Sequence, residues 1–299
     1  MSIVLCIGSG LLGLVLGSFA GATVWRLRAR QLVADSAAGM LEPSEKKELR
    51  RLEKLTKASL VNDRSRCLHC GHTLAWYDLL PLVSWLSTSG KCRYCKKPIG
   101  WFEPAIEIGT ALLLVATYVW FAGTGVPLAL FAVWVIAVVL LVILWAYDAK
   151  WFLLPNVVIF PLIVISAVIA TTRVALAAQP QAELVATGGA LLVLVGLYAG
   201  LYYISRLKNG EAGTWVGFGD VKLVLALALL LGSWQLALLT VFVANAAGLV
   251  AVLPGMVRGK LGLKTHVPFG PLLILGFFVA LFVGNAIINW YMGLAGISM

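Results

Sequence analysis

Residues 127–150 read PLALFAVWVIAVVLLVILWAYDAK, an uncharged run that ends abruptly on Asp148. About 20 apolar residues in a helix cross the roughly 30 Å hydrocarbon layer of a bilayer, so this stretch reads as a transmembrane helix. Its apolar positions are continuous rather than alternating, which argues against a membrane-spanning strand. The carboxylate at its edge is the informative part. A charge beside hydrocarbon is costly and by default marks a functional site.

Working outward, similar apolar runs recur at 3–25, 105–122, 155–176, 184–205, 220–232, 234–256 and 269–295. With 127–147 they predict eight transmembrane helices, the sixth of them short. Of 299 residues, 61% are hydrophobic and 12% charged, and the mean hydropathy is +0.95. A soluble domain carries about a quarter charged residues. The expected fold is an all-α polytopic membrane protein in three parts: a first transmembrane helix at 1–25, a long polar loop at 26–104, and a seven-helix membrane core at 105–299.

Charge placement predicts orientation. Of the 23 Lys and Arg, 15 lie between Arg26 and Lys97, and Lys150, Arg206, Lys208, Lys222, Arg258, Lys260 and Lys264 add seven more. Eight spans place all of these on one side and leave only Arg173 near the other. The positive-inside rule makes that side the cytoplasm, with both termini outside. The formal charge of +10 then follows from orientation and contact with anionic membrane lipids, and no nucleic acid partner is required. Arg26, Arg28 and Arg30 follow the first apolar run and no Lys or Arg precedes it, the reverse of a secretory signal peptide. A retained anchor is expected.

Within the loop, residues 43–60 predict an amphipathic helix with Leu49, Leu52 and Leu55 on one side. Glu45 and Glu48 lie in its first turn, and Glu53 and Lys57 form an i,i+4 pair. The expectation is a solvated or membrane-surface helix. Further on, Cys67-Leu68-His69-Cys70 and Cys92-Arg93-Tyr94-Cys95 are separated by 21 residues. Paired Cys-x-x-Cys knuckles at such a distance predict a closed four-thiolate structural zinc site in a zinc-binding cytoplasmic loop. His69 and His72 are nearby, but Cys67, Cys70, Cys92 and Cys95 already complete a tetrahedron. Cys6 lies alone in the first span and reads as a buried apolar residue.

A second carboxylate matches the first. Asp220, in Gly217-Phe218-Gly219-Asp220-Val221-Lys222, opens the sixth span, while Asp148 closes the third. Those spans run in opposite directions, so both acids fall at one membrane face. Lys150 and Lys222 follow two residues later and snorkel from helix ends. Two carboxylates brought together can share one proton and activate water against a peptide bond. Intramembrane acids also serve ion pathways. The residues alone therefore support an aspartic protease or an ion-coupled transporter with a zinc-bearing regulatory loop, with a chemically inert secretion scaffold as a third reading.

The ordered motifs add a resemblance. Gly217 to Leu223 resembles the G-x-G-D-x-K motif of the bacterial type IV prepilin leader peptidase/N-methyltransferase family, the GxGD intramembrane aspartic proteases. Asp148 followed by Leu153-Leu154-Pro155-Asn156 resembles its first aspartate motif, and Pro268-Phe269-Gly270-Pro271 is similar to a further signature. Gly17-Ser18-Phe19, Ser65-Arg66-Cys67 and Gly90 to Cys95 match its amino-terminal part. The resemblance implies that Asp148 and Asp220 form a catalytic pair. The implied substrate is a type IV prepilin or type II secretion pseudopilin, whose short basic leader is cut after a glycine ahead of a hydrophobic helix, at the cytoplasmic face of the plasma membrane. It also implies S-adenosylmethionine-dependent N-methylation of the new terminus. The chain departs from the family at Gly21, Arg28 and Phe102-Glu103-Pro104, all in the part associated with methylation, and retains Glu107. Gly17, Ser18, Phe19 and Glu107 are the expected methyl-donor or amine site, with Glu107 serving either the amine or a basic partner such as Arg26. No glycine-rich nucleotide fingerprint is visible.

Overall fold

The computed structural model describes residues 2–56, 64–123, 128–210, 215–258 and 267–294. It divides into two compact units, Met1–Gly125 and Val126–Met299.

The first unit is built on helices α1 (Ile3–Ala37) and α4 (Phe102–Ala122). Ser9, Gly13, Gly17, Ala20 and Val24 line the buried side of α1, the small-residue seam that lets membrane helices approach closely. A Cβ on Gly17 would meet the Glu107 Cα of α4 at 2.7 Å. The apolar run of α1 ends near residue 25, but the helix continues to Ala37. Residues 26–37 contain neither Pro nor Gly and are rich in Arg, Ala and Leu, which favour helix. Arg26, Arg28 and Arg30 therefore lie on a helix rather than in a loop.

That extension changes the fate of the amphipathic segment. Helix α2 spans Lys46–Leu52 and passes into a 3₁₀ turn at Glu53–Leu55. Its apolar side turns onto α1 rather than onto a membrane surface, while Lys46, Lys47, Arg50 and Arg51 stay exposed. Leu52 is fully buried with Ala29 and Leu32 of α1, and Leu49 and Leu55 pack on the same cluster. The buried Arg28 guanidinium clamps it by donating to Glu45 (2.7 Å) and Glu48 (2.9 Å). Lys57 and the expected end of this helix lie outside the described residues. A 3₁₀ turn at Trp76–Leu79 and the short helix α3 (Val83–Ser87) complete the unit.

The second unit contains α5 (Leu128–Trp151), α6 (Asn156–Leu176), α7 (Pro180–Leu191), α8 (Leu197–Asn209), α9 (Phe218–Leu231), α10 (Trp234–Val257) and α11 (Phe269–Leu294). A π-turn at Leu192–Gly196 joins α7 and α8 into one apolar segment. The core is dense around Leu141, Leu144 and Tyr147 of α5, Leu223 and Leu227 of α9, and Phe277 of α11.

The described residues contain no strand beyond two isolated bridges. Seven of their helical segments are long and apolar enough to cross a membrane. The eighth expected span is α9, whose 14 residues reach only about 21 Å. Its far end is held from α6. Arg173 donates to the carbonyls of Leu230 (2.9 Å) and Leu229 (3.1 Å) and to Thr187 (3.2 Å). Its Nε forms an ion pair with Glu183 at 2.7 Å. Gly232 ends α9 in the left-handed region at φ 63, where any side chain would collide with Arg173. The chain is a multi-pass, all-α membrane protein.

Candidate active site and metal centre

Asp148 sits in the last turn of α5 and is buried, 5% exposed. Its Oδ2 accepts a 3.0 Å hydrogen bond from the Gly270 amide, in the first turn of α11. Helix N-termini present free N–H groups and a positive dipole end, which suit a carboxylate. A Cβ on Gly270 would lie 2.7 Å from that same oxygen. The Pro268-Phe269-Gly270-Pro271 stretch thus cradles Asp148.

Asp220 is the third residue of α9, and its Oδ2 accepts from the Gly217 amide at 3.2 Å. The carboxylate reaches back to the N-cap residue, as in half of a capping box. Gly219 brings the helix close to the other aspartate motif, since a Cβ there would lie 3.1 Å from the Leu154 Cβ. Lys222 Nζ donates to Asn156 Oδ1 at 2.8 Å. The two carboxyl groups interact electrostatically, so α5, α9 and the start of α11 converge on one acidic site.

Three participants carried little sequence signal. Tyr198 and Tyr202, one turn apart on α8, hold the phenyl rings that precede the key glycines: Tyr198 meets Phe269 (centroids 5.9 Å) and Tyr202 meets Phe218 (5.2 Å). Asn245 is exposed on α10, a helix without a charged residue. Asp220, Tyr198, Trp215, Asn245 and Phe269 line a cleft of about 500 Å³. Only Asn245 was discoverable, as a lone amide inside an apolar run.

In the first unit, the two cysteine knuckles fold alike. Cys67 N–H donates to His72 O (3.0 Å) and Gly71 N–H to Cys67 O (2.9 Å). Cys92 N–H donates to Lys97 O (2.8 Å) and Lys96 N–H to Cys92 O (2.9 Å). Gly71 and Lys96 occupy the same left-handed position, at φ 72 and 57. The four sulfurs lie within 4.8 Å of one another, with Cys67 and Cys95 3.9 Å apart. A tetrahedron with Zn–S bonds of about 2.3 Å has edges of about 3.8 Å, so the set fits zinc. Burial, outweighing nearby amides, pushes the metal-free Cys67 thiol up to about 12, so metal entry must displace protons. The His72 ring packs tilted against Tyr94 (centroids 3.7 Å), and neither histidine belongs to the cluster. Asp78 accepts from Arg93 (2.9 Å) and Tyr94 (3.0 Å) and braces the second knuckle.

The same unit holds a second cleft, about 200 Å³, lined among others by Ser18, Trp25, Arg66, Glu103 and Glu107. Glu107 is buried; its carboxylate accepts from the Leu82 amide (2.8 Å) and from Ser18. Of the expected methyl-donor residues, Ser18 and Glu107 therefore meet in this cleft. Gly17 is spent on helix packing, and Phe19 is 55% exposed. Leu82 was unforeseeable, because its contribution is a backbone amide.

Comparison with known proteins agrees with this division. The Bacterial Peptidase A24 N-terminal domain matches residues 11–121, and the Type IV leader peptidase family matches residues 134–253. The prepilin leader peptidase/N-methyltransferase of Pseudomonas aeruginosa is 32% identical over 303 residues, covering 99% of this chain and 96% of that protein. Its namesake from Burkholderia pseudomallei is 30% identical, over 92% of this chain and 84% of its own. That from Aeromonas hydrophila is 32% identical, over 78% and 76%. No solved structure matches. On these likenesses and on the motifs that meet around Asp148 and Asp220, the chain belongs to the prepilin leader peptidase/N-methyltransferase family.

Proposed function

We propose that the second unit is an aspartic endopeptidase that removes the leader of a type IV prepilin or pseudopilin. The observation that carries this reading is the pair of carboxyl groups on α5 and α9, each held by a glycine amide and electrostatically coupled. One carboxylate takes a proton from water as the water oxygen bonds to the scissile carbonyl carbon. The other, protonated, gives its proton to the carbonyl oxygen. Collapse of the tetrahedral centre breaks the C–N bond, and the nitrogen leaves as an amine with a proton from the dyad. Two carboxyls that share a proton act as one group, so the two roles are assigned to the dyad jointly. The charge asymmetry supports placing this site at the cytoplasmic face, with the basic leader outside the membrane and the pilin helix among the spans.

The first unit is read as the N-methylating part, with zinc at Cys67, Cys70, Cys92 and Cys95 holding its loop together. Its cleft carries both signs of charge, Glu103 and Glu107 beside the Trp25 ring and Arg26, Arg51 and Arg66 around them, which suits a zwitterionic methyl donor bearing sulfonium, ammonium and carboxylate groups. S-adenosylmethionine, when bound, would supply an electrophilic methyl group. Ser18 and Glu107 would position the new N-terminal amine, with the Glu107 carboxylate as the base that takes up its proton.

The full-length protein, incubated in detergent with a prepilin and S-adenosylmethionine, should yield a product cut after a glycine and one methyl group heavier at its new terminus. Glu107→Gln should leave cleavage intact and remove the added methyl. An uncut prepilin would overturn the peptidase reading, and a cut but unmethylated product the second reading alone.

A further inference from the structure

The outward stripe of α4 does not stop where the helix stops. Ala105, Ile108, Leu112 and Val119 are exposed along one side of this span, the side a bilayer would cover. At helical spacing they line up with Trp101, the residue that caps α4 and is 72% exposed. Trp85 packs against Trp101 with centroids 4.6 Å apart and donates its indole N–H to Gly100 O at 2.9 Å. Trp85 belongs to α3, which exposes Val83 (60%) and Leu86 (67%). The turn before α3 is drawn down beside the span, because the Leu82 amide bonds to Glu107. Glu107 lies five residues into α4, about 7.5 Å along its axis. Leu82 has φ 57, unusual for a non-glycine residue, so the carboxylate holds this turn in a conformation it would not choose freely. Trp76, in the neighbouring 3₁₀ turn, is 73% exposed.

A group of large apolar side chains this exposed needs an occupant. The contacts say which. The patch is continuous with a lipid-facing stripe, begins at the mouth of a span, and is led by tryptophans, whose rings favour the boundary between headgroups and acyl chains. We propose that Trp76, Val83, Leu86 and Trp101 form a foot that rests in the lipid headgroup–acyl boundary and seats the cysteine module on the membrane surface. Glu107, through Leu82, fixes the height of the foot. This inference is independent of the peptidase reading.

The test uses the full chain, zinc-loaded, labelled with 5-fluorotryptophan and reconstituted in lipid nanodiscs. Trp76→Phe and Trp101→Phe assign the two ¹⁹F resonances, and unchanged zinc content shows that each variant is folded. A lipid spin-labelled near its headgroup should broaden both resonances beyond detection, while a water-soluble gadolinium chelate should leave them visible. Broadening by the chelate and not by the lipid would overturn the proposal. So would protection from both agents, which would mean that protein, a second copy included, covers the patch.

Discussion

Lys222 of α9 and Asn156 of α6 are joined by a 2.8 Å hydrogen bond. It ties the turn that carries Asp220 to the helix that begins just after Asp148's. The ammonium also lies over the rings of Phe218 (4.9 Å) and Phe160 (5.3 Å). Removing either partner should loosen the spacing of the two acids. Lys222→Met, which keeps the stem, and Asn156→Leu should each lower kcat/KM roughly tenfold, the scale of one lost hydrogen bond to a charged group. The double variant should be little worse than the weaker single one, because both remove the same tie. Additive losses in a prepilin cleavage assay would disprove the tie.

Asp148→Asn and Asp220→Asn should each reduce cleavage by at least about a thousandfold, as for groups that act as one unit. Asn can still accept the amides of Gly270 and Gly217, so thermal unfolding in detergent should be unchanged. Substantial cleavage by either folded variant would remove the dyad from the mechanism.

Gly270→Ala should lower kcat about a hundredfold, the effect of moving a reacting group by around an ångström. The added methyl would have to push against the Asp148 oxygen 2.7 Å away. KM should change little, because Gly270 serves the carboxylate rather than the pilin helix. An unchanged kcat would show that the cradle does not position Asp148.

Elemental analysis should find about one zinc per chain, and Cys92→Ser should lose it. Residues 64–100 should then become protease-sensitive while the second unit stays intact. Acid should also strip the metal, for a reason that can be assigned. Burial works to raise Asp78, but Arg93, Tyr94 and the Ala75 amide outweigh it and hold the carboxyl below its ordinary range. A depressed carboxyl contributes stability above its unfolded value of about 3.9, and that contribution is lost only as pH falls through the lower folded value. Between pH 7 and 5 the Asp78 contribution is therefore constant, and zinc loss there reports thiolate protonation. Asp78→Asn should displace the zinc-release curve without changing its slope. A changed slope in that window would contradict the assignment.

What could be read from the sequence was whatever left a local mark. Apolar runs marked the spans, paired cysteines the knuckles, and lone carboxylates at helix ends the acids. The apolar run at 220–232 was already short in the sequence. Contacts between distant residues left no such mark. The continuation of α1 past its apolar run turned α2 inward, through Leu52 on Ala29 and Leu32. Glu107 finds its partner in a backbone amide, to which any residue would contribute equally. Tyr198 and Tyr202 matter only because Phe269 and Phe218 happen to meet them. Arg173 read as a stray cation on the sparsely charged side, because the two carbonyls it holds on α9 lie more than fifty residues onward.

Arg173 also fixes a depth. Helix α9 behaves as a rod of about 21 Å whose lower end is pinned by that guanidinium, where its negative dipole end would otherwise face hydrocarbon. A rod shorter than the roughly 30 Å layer cannot touch both surfaces. If its pinned end lies at one boundary, Asp220 at the other end stops several ångströms short of the opposite one, in the cleft it shares with Tyr198 and Asn245. The peptide bond must then descend to the acid, and how far is set by an arginine at the far side of the membrane.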